Sequence, residues 1–301
     1  MAEDRVVLVV AANDDLGVDR VERLLRLQAP DGGYQVLRVD PKDIGDLTSL
    51  TAHIQDGEVG FELAVQGQRA DSDRIHSVLW RPQMPAPEGQ VQLEALLRTC
   101  EGLLWIGGPE GQFRTASPAV QLVAAARAGL VTPHVALGIH PHVLARFEPS
   151  FRSGVRFVKW GEPLRPVPGG SLDETLALEH ALVCVEHRPF DYRVRLVDVD
   201  GHLFAAKVAT PFSIFSMTDE EKLAPMEAIA VIPEEVQTAA HLFAAQFGLP
   251  YVVLDLGVTA DGLWWFQEAD AAGDFWKLEL DTGQPVSRFL AALLAERRAA
   301  S

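Results

Sequence analysis

Apolar positions in this chain change rhythm from segment to segment, and the changes predict its elements. Residues 5–11 form a nearly continuous β-branched run, as in a strand buried on both faces. Asn13, Asp14 and Asp15 interrupt it, and Val18, Val21, Leu24 and Leu25 then recur at helical spacing, so the chain opens as strand, turn, helix. Short strands are predicted at 34–39, 60–65 and 75–80, the last stopped at Arg81 and Pro82. A helix is expected over 91–104, followed by a Gly107-Gly108-Pro109 break, and a second helix over 118–128 closed by Gly129.

After Pro133 strands dominate, at 155–160, 181–185, 192–199 and 202–208, the last pair joined by an Asp200-Gly201 hairpin turn. Residues 234–247 read as a helix ending at Gly248, and 251–258 as a buried strand. A second hairpin turns at Asp261-Gly262 and returns through 264–268, and a helix over 286–298 closes the pattern. The expectation is an α/β (α+β) fold with a small α/β domain over 1–108. The remainder, 109–301, divides into a central lobe near 130–190 and a C-terminal lobe near 190–301.

Composition agrees with a globular chain: 48% of the 301 residues are hydrophobic and 23% are charged. The net charge of −16 repels phosphate backbones on average, which argues against nucleic acid, although a local basic cleft is compatible with it. Cys100 and Cys184 lie far apart in apolar stretches, as reduced thiols do, and 1–10 has neither the basic start of a secretory signal nor the length of a membrane span. A cytoplasmic protein without a membrane partner is expected, and a homodimer is allowed.

The densest candidate chemistry is Asp255 on one strand, the Asp261-Gly262 turn, and Glu268 and Asp270 on the next strand. Side chains repeat every two residues along a strand, so Glu268 and Asp270 share a face near Asp255. Three carboxylates held together are costly unless a cation neutralises them, and an oxygen-only set suits Mg²⁺. The alternative is a solvated hairpin face in an acidic protein. Arg193 and Arg195 alternate on the 192–199 strand, which suits phosphate binding or, equally, a plain exposed face. The His140-Pro141-His142 loop has no metal-ligand partner spacing, and no Gly-x-Gly-x-x-Gly, Walker lysine loop or Gly-x-Ser-x-Gly elbow occurs.

The text from Asp255 through Glu268-Ala269-Asp270-Ala271-Ala272-Gly273-Asp274-Phe275-Trp276 to Thr282-Gly283-Gln284-Pro285 resembles the ATP-grasp peptide maturases of the microviridin or graspetide type, in order and spacing over roughly fifty residues. Upstream, Asp191-Tyr192-Arg193 and Phe204-Ala205-Ala206-Lys207 are similar to that family's Asp-Leu-Arg and Phe-Ala-Ala strands, and Trp80-Arg81-Pro82 to the element closing its pre-ATP-grasp domain. The resemblance implies an ATP-grasp fold, ATP and Mg²⁺ as cofactors, and a precursor peptide, leader plus core, as partner. It implies that Asp255, Glu268 and Asp270 bind Mg²⁺, that Arg193 is catalytic, and that Lys159, Arg193, Arg195 and Lys207 meet the nucleotide.

Departures accompany the match. Val183-Cys184-Val185 stands where the family has a carboxylate for the adenine edge, Val120 replaces a lysine, and the Asn-Pro and Gly-Gln pairs have become Asp270-Ala271 and Gly273-Asp274. Weaker ATP binding follows, since each lost neutral contact costs on the order of 1 kcal/mol. The implied function is an ATP-dependent ligase that makes ester or amide crosslinks in a ribosomal peptide. The alternatives are a catalytically silent peptide- or partner-binding relative and a ligase for a small carboxylate and amine.

Overall fold

The computed structural model describes residues 5–81, 85–138, 155–159, 182–186, 188–208 and 224–296. The first four-stranded sheet is parallel, in the order β2 (Tyr34–Val39), β1 (Arg5–Val10), β6 (Ile75–Trp80), β7 (Leu104–Ile106). β1 is apolar without alternation because both its faces are covered. Val7 and Val9 pack with Val18, Val21 and Leu25 of α1 (Leu16–Gly32), while Val6, Leu8 and Val10 pack with Leu93 and Leu97 of α2 (Glu88–Leu97) and with Phe61 and Leu63. Asp15 caps α1 by accepting from the Val18 N–H at 3.0 Å.

Phe61 and Leu63 belong to β4 (Glu58–Val65), the middle strand of a small antiparallel sheet with β3 (Thr48–Gln55) and β5 (Gln68–Asp71). β3 and β5 are mostly exposed; β3 alternates Leu50, Ala52 and Ile54 with polar residues but buries little of them, and neither strand is among those predicted. The expected 91–104 helix is also shorter. It stops at Leu97, the chain turns through Gly102 at φ 69°, and Leu104 begins β7, whose backbone pairs with Ser77–Leu79.

Beyond β7, α3 (Pro109–Thr115) and α4 (Pro118–Ala128) lead to a three-stranded antiparallel sheet, β8 (Val135–Gly138), β10 (Leu182–Glu186), β9 (Val155–Lys159). The main sheet is antiparallel, in the order β13 (Met226–Ala228), β12 (His202–Val208), β11 (Tyr192–Val199), β14 (Tyr251–Val258), β15 (Trp264–Asp270). Asp200 and Gly201 between β11 and β12 both have positive φ, 48° and 85°, the requirement of the tight hairpin that their dipeptide predicts. One face of this sheet packs on α4 and α5 (Glu234–Phe247) through Val194, Leu196, Leu254, Leu256 and Phe266.

The other face divides. Its half near Val197, Val199, Tyr251 and Val253 packs on α7 (Val286–Ala295), which α6 (Trp276–Thr282) precedes, and α7 also packs on α1 and β6. One helix thus joins the two large sheets in a single core. The remaining half is polar and carries the site.

Leu290 on α7 is fully buried in that shared core. Leu290→Ala should cost about 2–5 kcal/mol by transfer and cavity effects. Denaturant unfolding should show one destabilised transition; a midpoint equal to wild type would mean that α7 does not carry the junction.

Candidate functional site

Register builds the polar half of the sheet. Arg195 lies opposite Asp255, Asp255 opposite Glu268, Arg193 opposite Gly257, and Val253 opposite Asp270. Directly paired residues share a face, so Arg193, Arg195, Asp255, Glu268 and Asp270 form one charged floor. A register shift between Asp255 and Leu256 makes a bulge that places Gln267 outside the pairing and keeps Glu268 beside Asp255.

Arg195 closes a two-bond fork on Asp255: its Nε donates to Oδ1 at 3.0 Å and a terminal nitrogen to Oδ2 at 2.9 Å. Asp255 in turn raises the Arg195 proton affinity. Glu268 sits in a different balance. Desolvation by the surrounding floor, then the Asp255 and Asp270 carboxylates, push its carboxyl up to about 7, against Arg195 and Arg193. Its side chain keeps an open side to solvent, which screens these charges.

The loop after β15 forms the wall of the floor, and two arginines hold it. Arg81, at the end of β6, donates to the carbonyls of Ala272 at 2.7 Å and Gly273 at 2.9 Å and pairs with Asp15 at 3.3 Å and Asp274 at 3.6 Å. Arg195 donates from behind to the Asp274 carbonyl at 3.4 Å. The buried Tyr251 hydroxyl donates to the Gly273 carbonyl at 2.6 Å, and Asp270 accepts from the Ala272 N–H at 2.8 Å. On the outer edge of β15, the buried Gln121 of α4 both accepts from the Ala269 N–H at 2.8 Å and donates to its carbonyl at 2.9 Å.

Of the residues singled out from sequence, Arg193, Arg195, Asp255, Glu268 and Asp270 come together. Lys207 does not. It lies opposite Val194, on the face that packs against α4 and α5, and is ion-paired with Glu227 at 2.8 Å. Arg195 is at the floor and is paired with Asp255 through both carboxylate oxygens. Lys159 ends β9 opposite Leu182. His140 and His142 lie outside the described residues. Gln121 was not singled out, and Arg81 was named only within the Trp80-Arg81-Pro82 element, with no role at the site. Arg81 reads as a strand end before proline, whereas Gln121 carries a signal, being a polar residue on the helix face of Ala124, Ala125 and Ala128.

As an oxygen-donor set, Asp255, Glu268 and Asp270 fit a hard divalent cation in chemistry, and the raised Glu268 carboxyl is the strain such a cation would relieve. As placed, no three Asp, Glu, His or Cys side chains among the described residues gather closely enough to hold one.

The class defined by this succession of sheets, with the acidic floor on the last, is the ATP-grasp fold. The chain is similar to the macrocyclase MdnC of Microcystis aeruginosa, solved bound with precursor peptide MdnA, at TM-score 0.80 and 18% identity, covering 97% of this chain and 100% of that one. It is similar to a RiPP-associated ATP-grasp ligase of Chryseobacterium gregarium in complex with ADP and a leader and core peptide, at TM-score 0.82 and 18% identity over 98% of both chains. It is also similar to the ATP-grasp ligase PsnB complexed with a precursor variant, Mg and ADP, at TM-score 0.75 and 20% identity over 97% of this chain and 98% of that one. No family model matches the chain, and no curated protein matches it in sequence. Among the described residues no helix is long and apolar enough to cross a membrane.

A carboxyl whose value is raised on folding binds its proton more tightly in the folded state, so it costs stability as pH climbs from the ordinary carboxylate range to about 7. Glu268→Gln removes that cost. The variant should melt with wild type near pH ~4 and above it, by on the order of 1–3 °C, at pH ~8. Calorimetric scans at both pH values check this, and identical melting at the higher pH would refute the like-charge account.

Proposed function

We propose that this chain is an ATP-dependent carboxylate ligase that installs ester or amide side-chain crosslinks in a ribosomally made precursor peptide, bound through leader and core. The observation that carries the reading is the charged floor, with Arg193, Glu268 and Asp270 on one face of the last sheet of an ATP-grasp fold. It is supported by the peptide, ADP and Mg in the similar structures. We take 1–108 as a pre-ATP-grasp domain and 109–301 as the ATP-grasp domain, in a cytoplasmic protein whose homodimerisation sedimentation would decide.

In the proposed reaction a peptide Asp or Glu carboxylate attacks the γ-phosphorus of ATP, forming an acyl phosphate and releasing ADP. A Ser or Thr hydroxyl, or a Lys amine, then attacks the acyl carbon, losing its proton as inorganic phosphate leaves. Glu268 and Asp270, beside Asp255, would hold Mg²⁺, which would supply Lewis-acid neutralisation of the charge developing in the phosphoryl transfer. Arg193 offers the transferred group an always-charged fork, and Lys159 adds a second cation from the neighbouring sheet. The chemistry requires positioning and electrostatics, with no protein nucleophile.

A second reading, a catalytically silent binder, is favoured by the commitment of Asp255 to Arg195 and by Val183-Cys184-Val185 at the expected adenine edge. Calorimetry separates the two. Millimolar Mg·ATP should release heat and raise the melting temperature; neither response would leave the silent binder.

For the ligase, incubation with ATP, Mg²⁺ and a precursor peptide rich in Thr, Ser, Lys, Asp and Glu should yield losses of water by mass spectrometry. Glu268→Gln should slow crosslinking by roughly a hundredfold or more while remaining folded, because metal-assisted charge stabilisation is worth several kcal/mol. Full activity in that variant would remove Glu268 from the mechanism.

A further inference from the structure

Asp255 differs from the other two carboxylates of the floor in already having a cation. The Arg195 guanidinium engages both of its oxygens, at 3.0 and 2.9 Å, and a planar fork on a carboxylate is the strongest and most directional of side-chain pairings. The arrangement is braced. The Arg195 side chain is only 18% exposed, it reaches the Asp274 carbonyl at 3.4 Å, and β11 and β14 pair along eight residues around it. Glu268 and Asp270 remain exposed on the same floor, and Arg195 faces the former across Asp255.

We propose that Arg195 is a resident counter-cation that holds Asp255 out of metal binding, so that a divalent cation is taken by Glu268 and Asp270 alone. The proposal rests on reading this floor as a cation site, and it separates from the ligase reading because it concerns metal affinity without nucleotide. It follows from charge. With Arg195 in place the ionised floor, three carboxylates and two arginines, sums to −1; without it the sum is −2, with Asp255 oxygens free as ligands. An incoming cation also escapes repulsion from a guanidinium a few ångströms away, a difference of tenfold or more in affinity at the effective dielectric of a protein surface, about 20.

The test is a titration of the full chain with Mn²⁺ alone, following free Mn²⁺ by electron paramagnetic resonance. Arg195→Gln should bind Mn²⁺ at least tenfold more tightly than wild type, and adding Asp255→Asn to it should abolish the gain. Equal affinity in wild type and Arg195→Gln, or a gain that survives Asp255→Asn, overturns the proposal. Wild type provides a second measurement independent of how the variants fold. Saturating Mg²⁺ should shift the carboxyl ¹³C resonances of Glu268 and Asp270 and leave that of Asp255 in place, and a coordination shift at Asp255 overturns it. A chain that passes both tests yet binds no Mg·ATP loses the ligase reading and keeps Arg195 in this role; one that binds Mg·ATP but fails them loses this inference alone.

Discussion

Two guanidinium groups hold the wall of the charged floor, and most of the site's geometry depends on them. Arg81 reaches from the parallel sheet to the Ala272 and Gly273 carbonyls, and Arg195 reaches from the antiparallel sheet to Asp274. The loop between β15 and α6 has few backbone partners of its own, so these charge-assisted bonds define where Asp270 ends and α6 begins. Asp15 couples the arrangement to α1, since the carboxylate that caps the helix through Oδ1 pairs with Arg81 through Oδ2. A change in the first sheet is therefore felt at the floor, although none of the floor's acids belongs to that sheet.

Packing supports the same coupling. α7 lies in a core shared by both large sheets, and two side-chain amides bond the backbone of the antiparallel sheet. Gln284, in the turn before α7, accepts from the Ala205 N–H at 3.1 Å and donates to its carbonyl at 2.8 Å, as Gln121 does for Ala269. Gln121 stands in for a strand neighbour on the outer edge of β15, whereas the Gln284 amide shares the Ala205 carbonyl with the Ile229 N–H, which donates to it at 2.9 Å.

Much of this was legible in the sequence, for physical reasons. β11, β12 and α5 fall on the predicted residues because polar and apolar positions recur at their own period, and β14 because it is a nearly continuous apolar run, with Asp-Gly or Gly stops nearby. The carboxylate cluster was legible because a hairpin is local. β3 and β5 were not, since β3 buries little of its alternating Leu50, Ala52 and Ile54 and β5 is short, and β7 was missed because three apolar residues have no period. Lys207 is separated from the floor because facing depends on register: it lies opposite Val194, not opposite Arg193 or Arg195. The fork on Asp255 joins residues 60 apart in sequence, a distance over which no spacing rule operates.

The amide of Gln121 has a further consequence. Together with the Val131 carbonyl, which accepts from the Phe266 N–H at 2.8 Å, it occupies the outer ladder of β15 along the stretch that bears Glu268. An extended polypeptide extends a sheet by docking on a row of unmet N–H and C=O groups. The Phe266 N–H and both Ala269 groups are taken here, so an extended polypeptide finds no free ladder at these positions beside the acids. A chain approaching the floor from that side meets side chains there, and fit is set by side-chain chemistry more than by backbone pairing.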